Sequence, residues 1–230
     1  MSKQYKTDLH CHTRDGSCCA GESTRDTIEK YIKQGYTSIV LTNHMQSYRI
    51  NGGEPFPFSF PSYEDYVDYC YDAIDLARRV ADGRLYVLDG FEMRIPYCTN
   101  DYLVYGLERE CVKAFNIIKA ELDTASKYIR ENGGVIVQAH PMRFGMTLVR
   151  PEYIDGYEVH NSHNKPFMNT MIREWIGHIG ADDKIFTAGT DHHNHDDIPS
   201  AGILTEAPIK TTEELISVLK SRSFKIFPEE

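Results

Sequence analysis

Apolar and polar positions along this chain fall into two alternating rhythms. Short runs rich in Val, Ile, Leu and Tyr read as buried strands. Longer stretches, with apolar residues every three or four positions, read as amphipathic helices. "TDLHCHT" (7–13) opens the series as an extended segment. "TRDTIEKYIKQGY" predicts a helix capped by Ser23 or Thr24 and stopped at Gly35, and "TSIVLTNH" a buried strand. A capped helix over "SYEDYVDYCYDAIDLARRVADG" leads to the strands "RLYVLDGFEMR" and "DYLVYGL". "VKAFNIIKAELDTASKYIRENGG" reads as one helix stopped by two glycines, and the strand "VIVQAHP" follows. "GYEVHN", the helix "KPFMNTMIREWIGHIG" and "KIFTAGTDHH" continue the alternation, and "GILTEA" with the helix "TTEELISVLKSR" ends it. Such alternation implies a parallel sheet covered by helices, either a barrel or a doubly wound sheet. No internal repeat or linker divides the chain, so a single domain over 1–230 is expected. The exception to the rhythm is the Pro- and Phe-rich loop "YRINGGEPFPFSFPSY", too aromatic to read as disordered.

The polar residues that interrupt these runs fall at strand ends. His10 and His12 end the first strand and, one residue apart on an extended segment, share a face. His44 ends the second strand and Glu92 the third, Asp101 begins "DYLVYGL", and His140 ends "VIVQAHP". Glu158 and His160 lie in "GYEVHN", and Asp191, His192 and His193 end "TAGTDHH". Ligands and catalytic groups converge at the C-terminal strand ends of parallel α/β folds, so these residues are expected around one mouth. Two core histidines on one face would each need a buried partner, which favours metal ligation for His10 and His12. Imidazole and carboxylate together suit zinc, manganese or iron, and the donors exceed what one cation of about four to six ligands takes. A centre of two or three divalent cations is expected. His178, His163 and His195 read as structural or loop residues.

Composition narrows the picture only modestly. The chain has 230 residues and a net charge of −9, which disfavours a phosphate backbone as partner and suits a protein that gathers cations. Six cysteines without a CxxC pair, and a first segment unlike a signal peptide, point to reduced thiols in the cytoplasm. Cys18 and Cys19 read as loop or core thiols. No apolar run is long enough to cross a membrane.

"DLHCHT", "VLTNH", "GFEMR", "AHP" and "GTDHH", in this order, resemble the PHP (polymerase and histidinol phosphatase) superfamily over nearly the whole chain. The resemblance implies a distorted (β/α)7 barrel, a trinuclear metal cluster and metal-dependent hydrolysis of phosphoesters. Carried over motif by motif, it makes His10, His12, Glu92 and Asp191 ligands of a first metal. Glu92, Asp101 and His140 become those of a second, and His44 and His193 those of a third. Three positions depart from the family pattern. Asn43 stands where TDH is usual, and Asp101 where many members have His. The loop after HxH offers Asp15, Cys18 and Cys19 but no His, and Asp15 is preferred on charge grounds as the extra third-site ligand.

The expected function is hydrolysis of a small phosphomonoester through a metal-activated water. Asp191 or His193 would manage the proton, and Arg143, in "HPMR", would fork onto the phosphate. Arg94 is a second such candidate, since alternation points it the same way as Glu92. The alternatives are a nuclease or phosphodiesterase acting on oligonucleotides, and a non-catalytic metal-stabilised binding domain. The aromatic loop with Phe56, Phe58 and Phe60 is expected either to cover a small substrate or to cap the barrel core.

Overall fold

A computed structural model describes residues 3–46 and 60–228. Among them, ten strands form one sheet that curls into a barrel. Seven strands make its wall: β1 (Tyr5–Cys11), β2 (Tyr36–Leu41), β4 (Tyr86–Arg94), β5 (Tyr102–Tyr105), β6 (Val135–Gln138), β7 (Gly156–Asn161) and β8 (Ile185–Gly189). Backbone bonds from Asp191 N–H to His10 O (2.8 Å) and from His12 N–H to His192 O (2.9 Å) close it between β8 and β1. The short β3 (His44–Gln46) pairs with β4, while β9 (Gly202–Thr205) and β10 (Lys225–Phe227) extend antiparallel from β1.

Two apolar layers hold the wall. Leu9, Val40, Leu88, Leu103, Tyr105, Val135 and Val137 fill the barrel, plugged by Leu215 and Leu219 of helix α6 (Thr212–Ser221). The outward faces pack against helices α1 (Thr24–Lys33), α2 (Tyr63–Ala81), α3 (Arg109–Ala114), α4 (Leu122–Glu131) and α5 (Pro166–His178). Ser23 and Ser62 cap α1 and α2 by accepting from Asp26 N–H and Asp65 N–H.

The seven-stranded barrel agrees with the expected fold, and three local expectations need correction. The sheet is not wholly parallel, because β5 runs antiparallel to both β4 and β6. The single helix expected over 112–134 is broken: α3 ends at an extended Phe115, and a 3-10 turn (Ile117–Lys119) precedes α4. The break lets the adjacent Ile117 and Ile118 both bury completely. The closing strand β10 was not anticipated at all. Most of the aromatic loop, with Phe56 and Phe58, lies outside the described residues. Phe60 is described, and its ring stacks on Tyr66 at 4.6 Å, as a core cap would.

Candidate metal centre

The first strand delivers two histidines through a bulge. Asp8 pairs with Ile39 and Cys11 with Leu41, so three steps on β1 match two on β2. A bulge of this kind re-aims side chains. Leu9 and His10 both enter the barrel, whereas Asp8 meets Tyr31 of α1. Asp8 braces the bulge: Oδ1 accepts from His10 N–H and Thr190 N–H, both at 3.0 Å, and Oδ2 accepts from Tyr31 O–H at 2.8 Å. Burial pushes its carboxyl up to about 6 against those hydrogen bonds.

The other donors arrive from separate elements. β3 begins at His44, in register with Glu92 of β4, and this places His44 Nδ1 2.9 Å from Glu92 Oε2. Because β5 is antiparallel, its start faces the same mouth as the other strands' ends, and Asp101 stands there beside Glu92 and His140. His140 and Asp191, each two residues past a strand, have φ of +28° and +59°. Such backbone is costly for non-glycine residues and is typical of sites where side-chain direction outweighs local comfort.

These residues form overlapping groups of donor atoms within 4.8 Å of one another: His10, His12 and Glu92; His10, His140 and Asp191; Glu92, Asp101 and His140; and His12, Cys19, His44 and His193. At the centre, His10 Nε2 lies 3.1 Å from His12 Nε2, and the two approach Asp191 Oδ1 at 3.2 and 3.3 Å. That buried oxygen has no hydrogen-bond partner. Glu92 Oε1 lies 3.0 Å from His140 Nε2 and 3.6 Å from His10 Nε2. Buried nitrogens facing one another around an orphaned carboxylate oxygen suit a cation between them, and the mixed imidazole and carboxylate donors suit divalent transition metals.

Electrostatics within the donor set agree. Burial opposes charge on His10, yet Asp191, Glu158 and Glu92 outweigh it and raise the ring well above the usual imidazole range. His12, buried against His193 and His44, is pushed well below that range. Despite burial, Glu92 is held ionised by His44 and His10, and Asp191 by His10, His12, His140 and Arg143. Burial and then Glu92 raise Asp101, although Arg94 grips it with two bonds of 2.6 Å. Carboxylates crowded in this way favour positive charge among them.

A second layer orients the first. Glu158, in the middle of β7, accepts His10 Nδ1–H at 2.8 Å through one oxygen and His140 N–H at 2.8 Å through the other. His10 therefore presents Nε2 to the centre. His193 donates its Nδ1–H to Asp191 O at 2.7 Å, which leaves Nε2 as its basic nitrogen. Gly189 must lack a side chain, because a Cβ there would collide with His10 Cβ and lie 2.9 Å from Glu158 Oε1.

The structure thus gathers His10, His12, His44, Glu92, Asp101, His140, Asp191 and His193 at one mouth, and it sends Asp15 elsewhere. Asp15 is exposed, and its Oδ2 accepts Thr24 N–H at 3.0 Å at the start of α1, where the helix dipole favours an anion. Cys19, read from the sequence as a loop or core thiol, takes the place expected of Asp15, drawn against burial down to about 6 by His193 and His44. Arg143 reaches the rim and holds Asp191 Oδ2 at 2.6 Å and Asn161 Oδ1 at 3.1 Å. Arg94 is committed to Asp101. Sequence reasoning assigned no role to Asp8 or Gly189, and gave Glu158 only a place among the residues at the mouth, not the orienting role it has here. Alternation in "GYEVHN", with Tyr157 and Val159 turned to the outer core, was the available signal for Glu158.

No protein-family model matches the chain, and no curated protein matches it in sequence. Solved structures do resemble it. One is a two-domain protein containing a predicted PHP-like metal-dependent phosphoesterase from Bacteroides vulgatus, with 14% identity and a TM-score of 0.68 over 98% of this chain and 65% of that one. An amidohydrolase from Chromobacterium violaceum has 13% identity and a TM-score of 0.57 over 96% and 97%. A lesion-specific endonuclease from Pyrococcus furiosus has 14% identity and a TM-score of 0.59, covering 97% of this chain and 58% of its own. This chain therefore spans less than two thirds of the Bacteroides protein and of the endonuclease. At these identities the likeness is one of fold: the chain has the barrel fold of PHP-like metal-dependent phosphoesterases.

Proposed function

We propose that this chain is a metal-dependent hydrolase of phosphate esters acting on a small phosphomonoester. Two or three divalent cations, of zinc, manganese or iron, would sit at the barrel mouth. The observation that carries the reading is the set of donor groups that share His10, His12, Glu92 and His140, closed around the unpartnered Asp191 oxygen. On this reading His10, His12, Glu92 and Asp191 would hold a first cation, Glu92, Asp101 and His140 would hold a second, and His44 and His193 would belong to a third seat. When bound, such cations supply Lewis acidity to a phosphoryl oxygen and make hydroxide available near neutral pH.

The chain's own residues position and exchange protons around that chemistry. Arg143 uses one guanidinium nitrogen on Asp191 and Asn161, so other N–H donors remain for a phosphate oxygen. Asp191, held ionised, is the group poised to take and return a proton beside the ester, whereas His193, with its Nδ1–H on Asp191 O and its Nε2 toward the third seat, has no nitrogen left for that role. Glu158 and Asp8 keep His10 aimed inward. All six cysteines are thiols, which fits a cytoplasmic setting, and no helix among the described residues is long and apolar enough to cross a membrane.

The likeness to a lesion-specific endonuclease favours phosphodiester cleavage as the second reading, although a net charge of −9 works against a long polyanion. Para-nitrophenyl phosphate and its bis ester separate the two when assayed with added Mn²⁺ and with Glu92→Ala as control. Turnover of the monoester, lost in the variant, is expected. Turnover of the diester alone supports the second reading, and no turnover of either by metal-loaded protein contradicts both.

A further inference from the structure

We infer that the centre's seats differ in kind, and that the pocket of His12, Cys19, His44 and His193 is a thiolate-bearing seat for a thiophilic divalent cation of the zinc class. The inference rests on the metal-dependent reading above. Each of the four residues offers one donor atom, all within 4.8 Å of one another. With His12 shared with the first seat, His44, His193 and the Cys19 sulfur make a borderline-soft set that suits tetrahedral zinc or cobalt with one position left open. The seat of Glu92, Asp101 and His140 has two carboxylates and one imidazole, a harder set that suits manganese or iron.

The position of the sulfur is built by the fold. Arg14 N–H donates to Glu22 O at 2.9 Å and closes the loop that carries Cys19. Gly21 N–H donates to His193 O at 2.8 Å, which ties the loop to one imidazole-bearing segment. Ser17 Oγ accepts His44 N–H at 2.8 Å and lies 3.5 Å from His12 Nδ1, which ties it to the other two. At the loop's far end the Glu22 carboxylate pairs with Lys30 and His192 at 2.8 and 2.6 Å. The His12 ring stands 4.7 Å from that of His44 and 4.3 Å from that of His193. The loop therefore hydrogen-bonds to the segments bearing the seat's histidines and brings its sulfur to them. Cys18 is outside the group, and Asp15 is occupied at Thr24.

Cobalt(II) reports on this directly, because a sulfur ligand gives a near-ultraviolet sulfur-to-cobalt charge-transfer band that nitrogen and oxygen donors do not. Metal-depleted wild-type protein, Cys19→Ser and Cys18→Ser are titrated with Co²⁺, and absorbance and bound cobalt are recorded together. The band is expected in wild type and Cys18→Ser and is lost in Cys19→Ser, which still binds cobalt at the remaining seats. Cobalt bound by wild type without the band, or a band that survives in Cys19→Ser, overturns the inference and leaves the metal-dependent reading standing. Wild-type protein that binds no cobalt overturns both. Iodoacetamide gives a second readout: Zn²⁺ is expected to slow alkylation of Cys19 and Mg²⁺ to leave it unchanged, and equal alkylation with and without Zn²⁺ also refutes the seat.

Discussion

Asp8 lies outside the donor groups, yet the aim of His10 depends on it, and two substitutions separate its roles. Asp8→Ala strips the acceptor from three buried donors: His10 N–H, Thr190 N–H and Tyr31 O–H. A buried donor left without a partner costs about 1–3 kcal/mol, so three should cost about 3–9 kcal/mol together, a large share of a typical domain's stability. Asp8→Asn is isosteric. Its carbonyl can keep the two backbone N–H groups, and its amide can donate to the Tyr31 oxygen, so the cost should be about 1 kcal/mol. The charge adds a pH signature. The Asp8 carboxyl sits at about 6 in the fold, above the ordinary value of 3.8, so the protonated form is the one the fold favours. Its contribution is therefore full at acid pH and is lost as pH rises through about 6. Relative to Asp8→Asn, wild type should lose about 1 kcal/mol of stability between about pH 5 and pH 7.5. Urea unfolding of the three proteins at both pH values, with bound metal measured alongside, checks this. An alanine variant within about 1 kcal/mol of wild type and with normal metal content would refute the bracing role.

Two further substitutions test the orienting layer. Glu158→Gln puts an amide where His140 N–H or His10 Nδ1–H needs an acceptor, and it should weaken metal binding by about 10–100-fold with the fold intact. Unchanged affinity by competition with a chromogenic chelator would show that His10 is aimed by something else. Gly189→Ala keeps every donor but forces a methyl group into His10 and Glu158. Melting should show a loss of about 1–3 kcal/mol together with weaker metal binding, and a silent variant would contradict the close approach.

The sequence exposed most of this centre because its donors come from short motifs at the ends of apolar runs. His10 and His12 were readable as a pair from their spacing alone. What stayed hidden was set by tertiary geometry. The direction of β5 leaves no mark in "DYLVYGL", and only Asp101 at its start, the wrong end for a parallel strand, hinted at it. The bulge that turns Leu9 and His10 inward together is invisible to an alternating pattern, and Asp8 consequently passed without a role. Charge alone favoured Asp15 over Cys19, but the loop carries Asp15 to the start of α1 and turns Cys19 to the histidines. The broken helix over 112–134 was missed because its apolar spacing fits a helix, whereas joint burial of Ile117 and Ile118 decided otherwise.

The central claim is that the buried His, Glu and Asp donors at the barrel mouth form a centre for several cations. Elemental analysis of the protein as purified and after reconstitution with Zn²⁺, Mn²⁺ or Fe²⁺, run beside Glu92→Gln, tests it most directly. Glu92 belongs to two of the donor groups, so wild type should hold more than one equivalent and the variant clearly fewer. At most one equivalent in wild type after reconstitution, or equal loading of the variant, would contradict the account.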